Sequence, residues 1–151
     1  MRFEEDSDSP VGLFVINVDG SGLRQITPPG MHLDEDGFGG QWSPDGSKIL
    51  VVGLSDADRK TIFVVDAAGG DPVPLPIIPE CGGSRDDPDS FGCYSPTWSP
   101  DGAKILFVRS KTLSADSFSE SIYMVNEDGS GLVQVTDGQD DQPRWGTPAA
   151  S

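Results

Sequence analysis

The chain repeats itself, and that restricts its fold more than any other feature. Trp42-Ser43-Pro44-Asp45-Gly46-Ser47-Lys48-Ile49-Leu50 returns as Trp98-Ser99-Pro100-Asp101-Gly102-Ala103-Lys104-Ile105-Leu106. A second phrase occurs three times, as LFVINVDGSGLRQIT (13–27), IFVVDAAGGDPVPLP (62–76) and IYMVNEDGSGLVQVT (122–136). Trp42, Trp98 and Trp145 stand 56 and 47 residues apart (98 − 42 and 145 − 98). Those periods lie near what four-stranded propeller blades with insertions require.

Each phrase reads as a hairpin. In the first, Ser-Pro-Asp-Gly turns the chain: proline presets φ at the second turn position and glycine accepts positive φ. The apolar, β-branched run that follows reads as a strand. In the second, β-rich runs flank Asp-Gly, a short-range hairpin signal in which Asn or Asp and Gly are expected to take the positive φ of a tight turn. Each unit then has four strands: A ending at Trp, B after the Ser-Pro-Asp-Gly turn, C and D around the second hairpin. No segment sustains a helical apolar period, so the chain is read as all-β, a single domain over 1–151. Its 19 glycines and 13 prolines suit many short elements and tight turns.

The paired motifs, WSPDG with Lys-Ile-Leu after it and IYMVNEDGSGLVQVT, resemble the repeat of the TolB-type β-propellers. The resemblance covers about Leu13 to Gly146 and implies a propeller, usually six-bladed in that family. It implies no particular partner, since propellers host many functions. The blades are expected at 1–27 (strands B to D), 39–76 and 95–136, with a closing A strand at 142–147. Three of each strand type result, out of phase with the ends. The expectation is a homodimer forming one six-bladed ring. In it, Gln142, Pro143, Arg144, Trp145, Gly146 and Thr147 of one copy pair with Met1–Glu5 of the other, so that no edge is left open. The alternative is half of a longer single-chain propeller. The three tryptophans are read as packing between blades.

In such blades the A–B and C–D turns share one side and the B–C and D–A connections the other. The first set is short here and the second long, as in IIPECGGSRDDPDSFGCY and RSKTLSADSFSES. Long loops on a compact scaffold are where function usually sits. Charge divides the same way. The chain has 25 acidic and 10 basic residues, net −15, which repels nucleic acid and anionic membranes. All but seven of the acids (Asp19, Asp45, Asp66, Asp71, Asp101, Glu127 and Asp128) fall on the long-loop side. That surface is read as a cation site, as a dock for a protein or peptide partner, or as plain solvation.

No cofactor is required, but calcium is a candidate ligand because it needs several converging hard oxygens. The best candidates are Asp34, Glu35 and Asp36 in LDEDGFGG with Asp137, Asp140 and Asp141 in DGQDDQ; neither stretch matches a complete EF-hand loop. The TolB-type A strand commonly carries Asp four residues before Trp. Asp141 keeps that position, whereas Phe38 and Tyr94 replace it before Trp42 and Trp98. These two aromatics, with Asp86, Asp87 and Asp89, form a candidate partner-binding rim; the other reading has the aromatics plugging the channel. Cys81 and Cys93 bracket one long loop and are expected to pair, with two free thiols as the alternative.

With one histidine, His32, no nucleophile–base–orienter set can be drawn, so the chain is read as non-catalytic. The leading function is a self-assembling binding scaffold. The runner-up is an excised or engineered half-propeller with no role beyond association, and behind it a lyase or hydrolase using a metal in the channel. Propellers of this type also serve as gating domains beside a hydrolase. The acidic start lacks both parts of a secretory signal. The compartment is therefore read as cytoplasmic, or as periplasmic or extracellular if an export signal precedes this sequence.

Overall fold

A computed structural model of the chain describes residues 12–33, 40–54, 60–77, 81, 91–114, 117–138 and 143–146, with Thr112 described by its backbone alone. Met1–Glu5, Asp34, Glu35, Asp36, Phe38, Asp86, Asp87, Asp89, Asp140, Asp141, Gln142 and Thr147 lie outside the described residues. Among the described residues there is no helix. Ten strands form instead: β1 (Phe14–Val15), β2 (Arg24–Gln25), β3 (Gln41–Trp42), β4 (Lys48–Leu54), β5 (Lys60–Asp66), β6 (Val73–Pro74), β7 (Phe91–Trp98), β8 (Lys104–Ser114), β9 (Ser117–Asn126) and β10 (Val133–Gln134).

The strands pair strictly with their neighbours in sequence, all antiparallel. In chain order, β1 pairs with β2 in a two-stranded first sheet, and two complete four-stranded meanders follow, β3-β4-β5-β6 as the second sheet and β7-β8-β9-β10 as the third. Each complete sheet holds one Trp-Ser-Pro-Asp-Gly turn between its first two strands and one copy of the second phrase across its last two, and β7 begins at Phe91. The closing strand is not seen as such: residues 143–146 join no ladder among the described residues.

Turn chemistry explains why each hairpin forms where it does. Ser43 donates its hydroxyl to Asp45 Oδ1 (2.6 Å), Ser47 N–H donates to the same oxygen (3.0 Å), and Lys48 N–H donates to Ser43 Oγ (2.9 Å). Ser99, Asp101, Ala103 and Lys104 repeat that set. In the second hairpin Asp19 accepts from Ser21 N–H (2.9 Å), and Asp128 accepts from Ser130 N–H (2.9 Å). The backbone here departs from the sequence expectation. Gly20, Gly22, Gly129 and Gly131 take positive φ, but neither aspartate does. Aspartate contributes a carboxylate acceptor that ties the turn from its side chain, and glycine alone supplies the left-handed backbone.

The sheets stack, and β4 shows how. Its run Ile49-Leu50-Val51-Val52 is buried throughout, because alternate residues face opposite sheets. Ile49 and Val51 join Ile26 and Val65 in one core, packed against Leu13 and Val15 of the first sheet. Leu50 and Val52 join Ile62, Leu75, Trp98, Ile105, Phe107 and Val125 in the other, between the second and third sheets. The second sheet therefore has one face toward the first sheet and the other toward the third.

Candidate functional site

The stack has a side of short turns and a side of long connections. On the turn side the carboxylates are already engaged. Asp19, Asp45, Asp101 and Asp128 cap their own turns, Asp66 accepts from Ala68 N–H (2.7 Å), and Glu127 forms an ion pair with Lys48 between neighbouring sheets. Hydrogen bonds to an ionised carboxylate favour that form. Ser43, with help from Ser47, holds the Asp45 carboxyl down at about 2. Asp101 is lowered chiefly by the Ser99 hydroxyl, and Asp19 and Asp128 by Ser21 and Ser130. Ala103, Asn126, Glu127 and Asp128 line an open dent of roughly 370 Å³ on this side.

The long-connection side is organised around the third sheet. β8 and β9 pair in one register from Lys104↔Asn126 to Thr112↔Phe118, and the ladder shifts before its last pair, Ser114↔Ser117. On β8 the Arg109 guanidinium lies 3.5 Å from the centre of the Phe91 ring and 5.1 Å from that of Tyr123. Lys111 approaches the same Phe91 ring at 5.5 Å. Such contacts hold a cation over the negative face of an aromatic ring. Nothing in the repeat pointed to Arg109, because Phe91 precedes the matched phrase.

The candidate rim residue Tyr94 is half-buried against the second core, and its hydroxyl donates to Glu120. After it the ladder slips between Tyr94 and Thr97, where Ser95 takes a φ of 50°. A bulge there fits Pro96, which lacks the N–H a regular ladder needs. Proline in a strand was the available signal. Cys81 and Cys93 are joined by a disulfide, with Cα atoms 5.3 Å apart and both residues inside the second core.

Of the candidate calcium ligands only Asp137 lies among the described residues, where it is exposed. No group of three or more His, Cys, Asp or Glu side chains placed to hold a metal occurs among the described residues. In the expected assembly segment, Pro143 is buried and the Trp145 indole N–H donates to the Thr97 carbonyl of β7 (3.3 Å). Trp145 thus lies against β7, an edge strand of the third sheet, while Arg144 and Gly146 are exposed.

No known protein-family profile matches the chain. Over 78 residues it is 28% identical to a Bacillus subtilis protein named "Uncharacterized peptidase YuxL", a match spanning 52% of this chain and 10% of that protein. A solved structure described as "putative TolB from Agrobacterium tumefaciens" is 18% identical over 84% of this chain and 62% of that one, with a TM-score of 0.35. That likeness is too low to carry an argument about fold, which rests on strand order and packing. The chain spans less than two thirds of either relative.

Proposed function

We propose that the chain is a non-catalytic propeller module: three blade-equivalents that close into a six-bladed ring with a second copy and present an acidic loop side to a protein or peptide. The observation that carries the ring is β4, buried on both faces between successive sheets. Stacking of that kind, continued, is how a propeller is built. Two copies supply six C–D hairpins, within the range of about four to eight blades that propellers use. The solution mass tests it: twice 16.0 kDa is expected, and a folded monomer at every accessible concentration would overturn the ring.

The use of carboxylates supports the binding side. The turn side uses nearly all its acids in hydrogen bonds or an ion pair of the fold, while most of the chain's acids belong to the long connections, where their charge would steer a basic partner or attract calcium. Calorimetric titration of the chelated protein with calcium chloride, and separately with a lysine-rich peptide, is the test. Salt-sensitive heat is expected from at least one titrant; heat from neither overturns the binding role.

A second reading follows from the partial likeness to a protein named as a peptidase. The repeats would then be an accessory unit beside a catalytic one. Both readings expect no turnover of peptide substrates by this chain alone, and turnover would overturn the non-catalytic assignment.

A further inference from the structure

We infer that the two end faces of the stack are the two halves of one further blade interface, which a second copy of this chain completes head to tail. The inference rests on the ring reading above and adds which surfaces meet and with what polarity.

The repeat lets every position be compared with its equivalents. Facing the preceding sheet, Tyr123, Val125 and Leu132 of the third sheet pack into the second core, and Val65 and Phe63 of the second pack into the first. The equivalent side chains of the first sheet, Phe14, Ile16 and Leu23, are exposed, Ile16 by 57% where Val65 and Val125 are fully covered. Trp98 on β7 is 6% exposed, while its equivalent Trp42, opposite Ile49 on the face toward the two-stranded first sheet, is 51% exposed, so that internal interface lacks cover at this position. Facing the following sheet, Ile26 and Leu75 are buried, but their equivalent Val135 is 52% exposed. Ile122 beside it is half-buried, where its equivalent Ile62 is fully covered. So the positions that bury themselves within the stack are open at its two ends.

The internal interfaces also show what covers each face. Leu13, Val15 and Ile26 meet Ile49, Val51, Phe63 and Val65; Ile62, Val64 and Leu75 meet Phe107, Tyr123, Val125 and Trp98. A forward face always meets a backward face, and the chain carries one spare of each. Trp145 on the Thr97 carbonyl already holds the place of an innermost strand on the third sheet. The matching segment of a second copy would lie over Trp42. Each such contact joins unlike faces, and a two-fold axis makes it occur twice, so the interface of the pair as a whole is isologous. Each copy carries a charge of −15, so apolar packing acts against repulsion and added salt strengthens the association.

The test is sedimentation of the full chain and of two substitutions at exposed positions, Ile16→Lys and Val135→Glu, with circular dichroism to confirm folding. Each places a charge in one half of the interface and is expected to weaken self-association at least roughly 100-fold. A 1:1 mixture is expected to recover dimers. One interface of the mixed pair is then unsubstituted, and the other sets lysine against glutamate. If the wild type is monomeric, the ring reading fails and this inference with it, leaving both faces to further blades of a longer chain. If it dimerises but Val135→Glu has no effect, or mixing gives no recovery, the ring reading survives and the head-to-tail polarity is overturned.

Discussion

Trp42 and Trp98 occupy the same place in the repeat, so replacing each by alanine isolates the effect of burial. Trp98 is 6% exposed and Trp42 51%. The difference is 45% of a side chain that buries at most about 250 Å², or roughly 110 Å². At about 25 cal/mol per Å² this is about 3 kcal/mol. Two corrections of opposite sign apply. The Trp98 indole N–H is buried without a hydrogen-bond partner, so its removal returns about 1 kcal/mol; the cavity left behind costs a similar amount. In dilute solution, Trp98→Ala should therefore lower stability by about 3 kcal/mol more than Trp42→Ala. For a chain of this size, that separates the two melting temperatures by about 6–12 °C. Urea melts at low protein concentration read the difference directly. Equal losses there would refute the reasoning, since the two environments would then be alike. On the proposed ring the gap should close at high concentration, because a second copy would cover Trp42 and its loss would then cost more.

Acid should weaken the turns. Asp45 is held near 2 against an ordinary 3.8, and Asp19, Asp101 and Asp128 shift the same way. A folded pKa below the unfolded one means stability that is complete above about pH 4 and lost as pH falls toward 2. The Asp45→Asn substitution should lower the melting temperature at pH 7 and make little difference near pH 2. The disulfide closes 12 residues, so Cys81→Ser with Cys93→Ser should cost about 3 kcal/mol, read by urea melts without reductant. Gly20 and Gly129 have φ of 84° and 81°, but a Cβ at Gly129 would lie 2.5 Å from the Pro76 carbonyl oxygen, whereas at Gly20 it meets nothing within 4 Å. Alanine at position 20 should cost about 1 kcal/mol and at 129 clearly more; similar losses would mean that the third sheet's turn does not press on the second.

The strand order was legible because its signals are local. Ser-Pro-Asp-Gly and Asp-Gly-Ser-Gly specify turns through their own side chains, as the Asp45 and Asp128 hydrogen bonds show. The apolar run at β4 was legible as a strand, though not as one buried on two faces. Less legible was whatever depends on distant chain. The Ser95 bulge had a hint in Pro96, but the Arg109 stack on Phe91 and Tyr123 joins residues from three strands and left no motif. The role of aspartate in the second hairpin was misread because Asp-Gly favours two different devices, a left-handed aspartate and a carboxylate cap. The serine two residues after each aspartate supplies the donors that settle it as a cap. The candidate site was the least legible part, since its acidic loops repeat nothing.

The repeat also explains why local pattern cannot report exposure. Val125 and Ile16 sit at equivalent hairpin positions, yet one is fully covered and the other is not. An apolar residue at a repeat position specifies which way a face points; the neighbouring sheet decides whether the face is covered. Within this chain, two interfaces are satisfied by the sheet before or after, and each end keeps a face of the same chemistry. Exposed apolar side chains gathered on such a face favour association by roughly 25 cal/mol for each Å² covered. The charge of −15 per chain opposes it over a range of about 8–10 Å at ordinary salt. Contact burial does not decay with salt, whereas the repulsion does. If the proposed ring forms, ionic strength is therefore the variable that would set the balance between the open stack and the closed one.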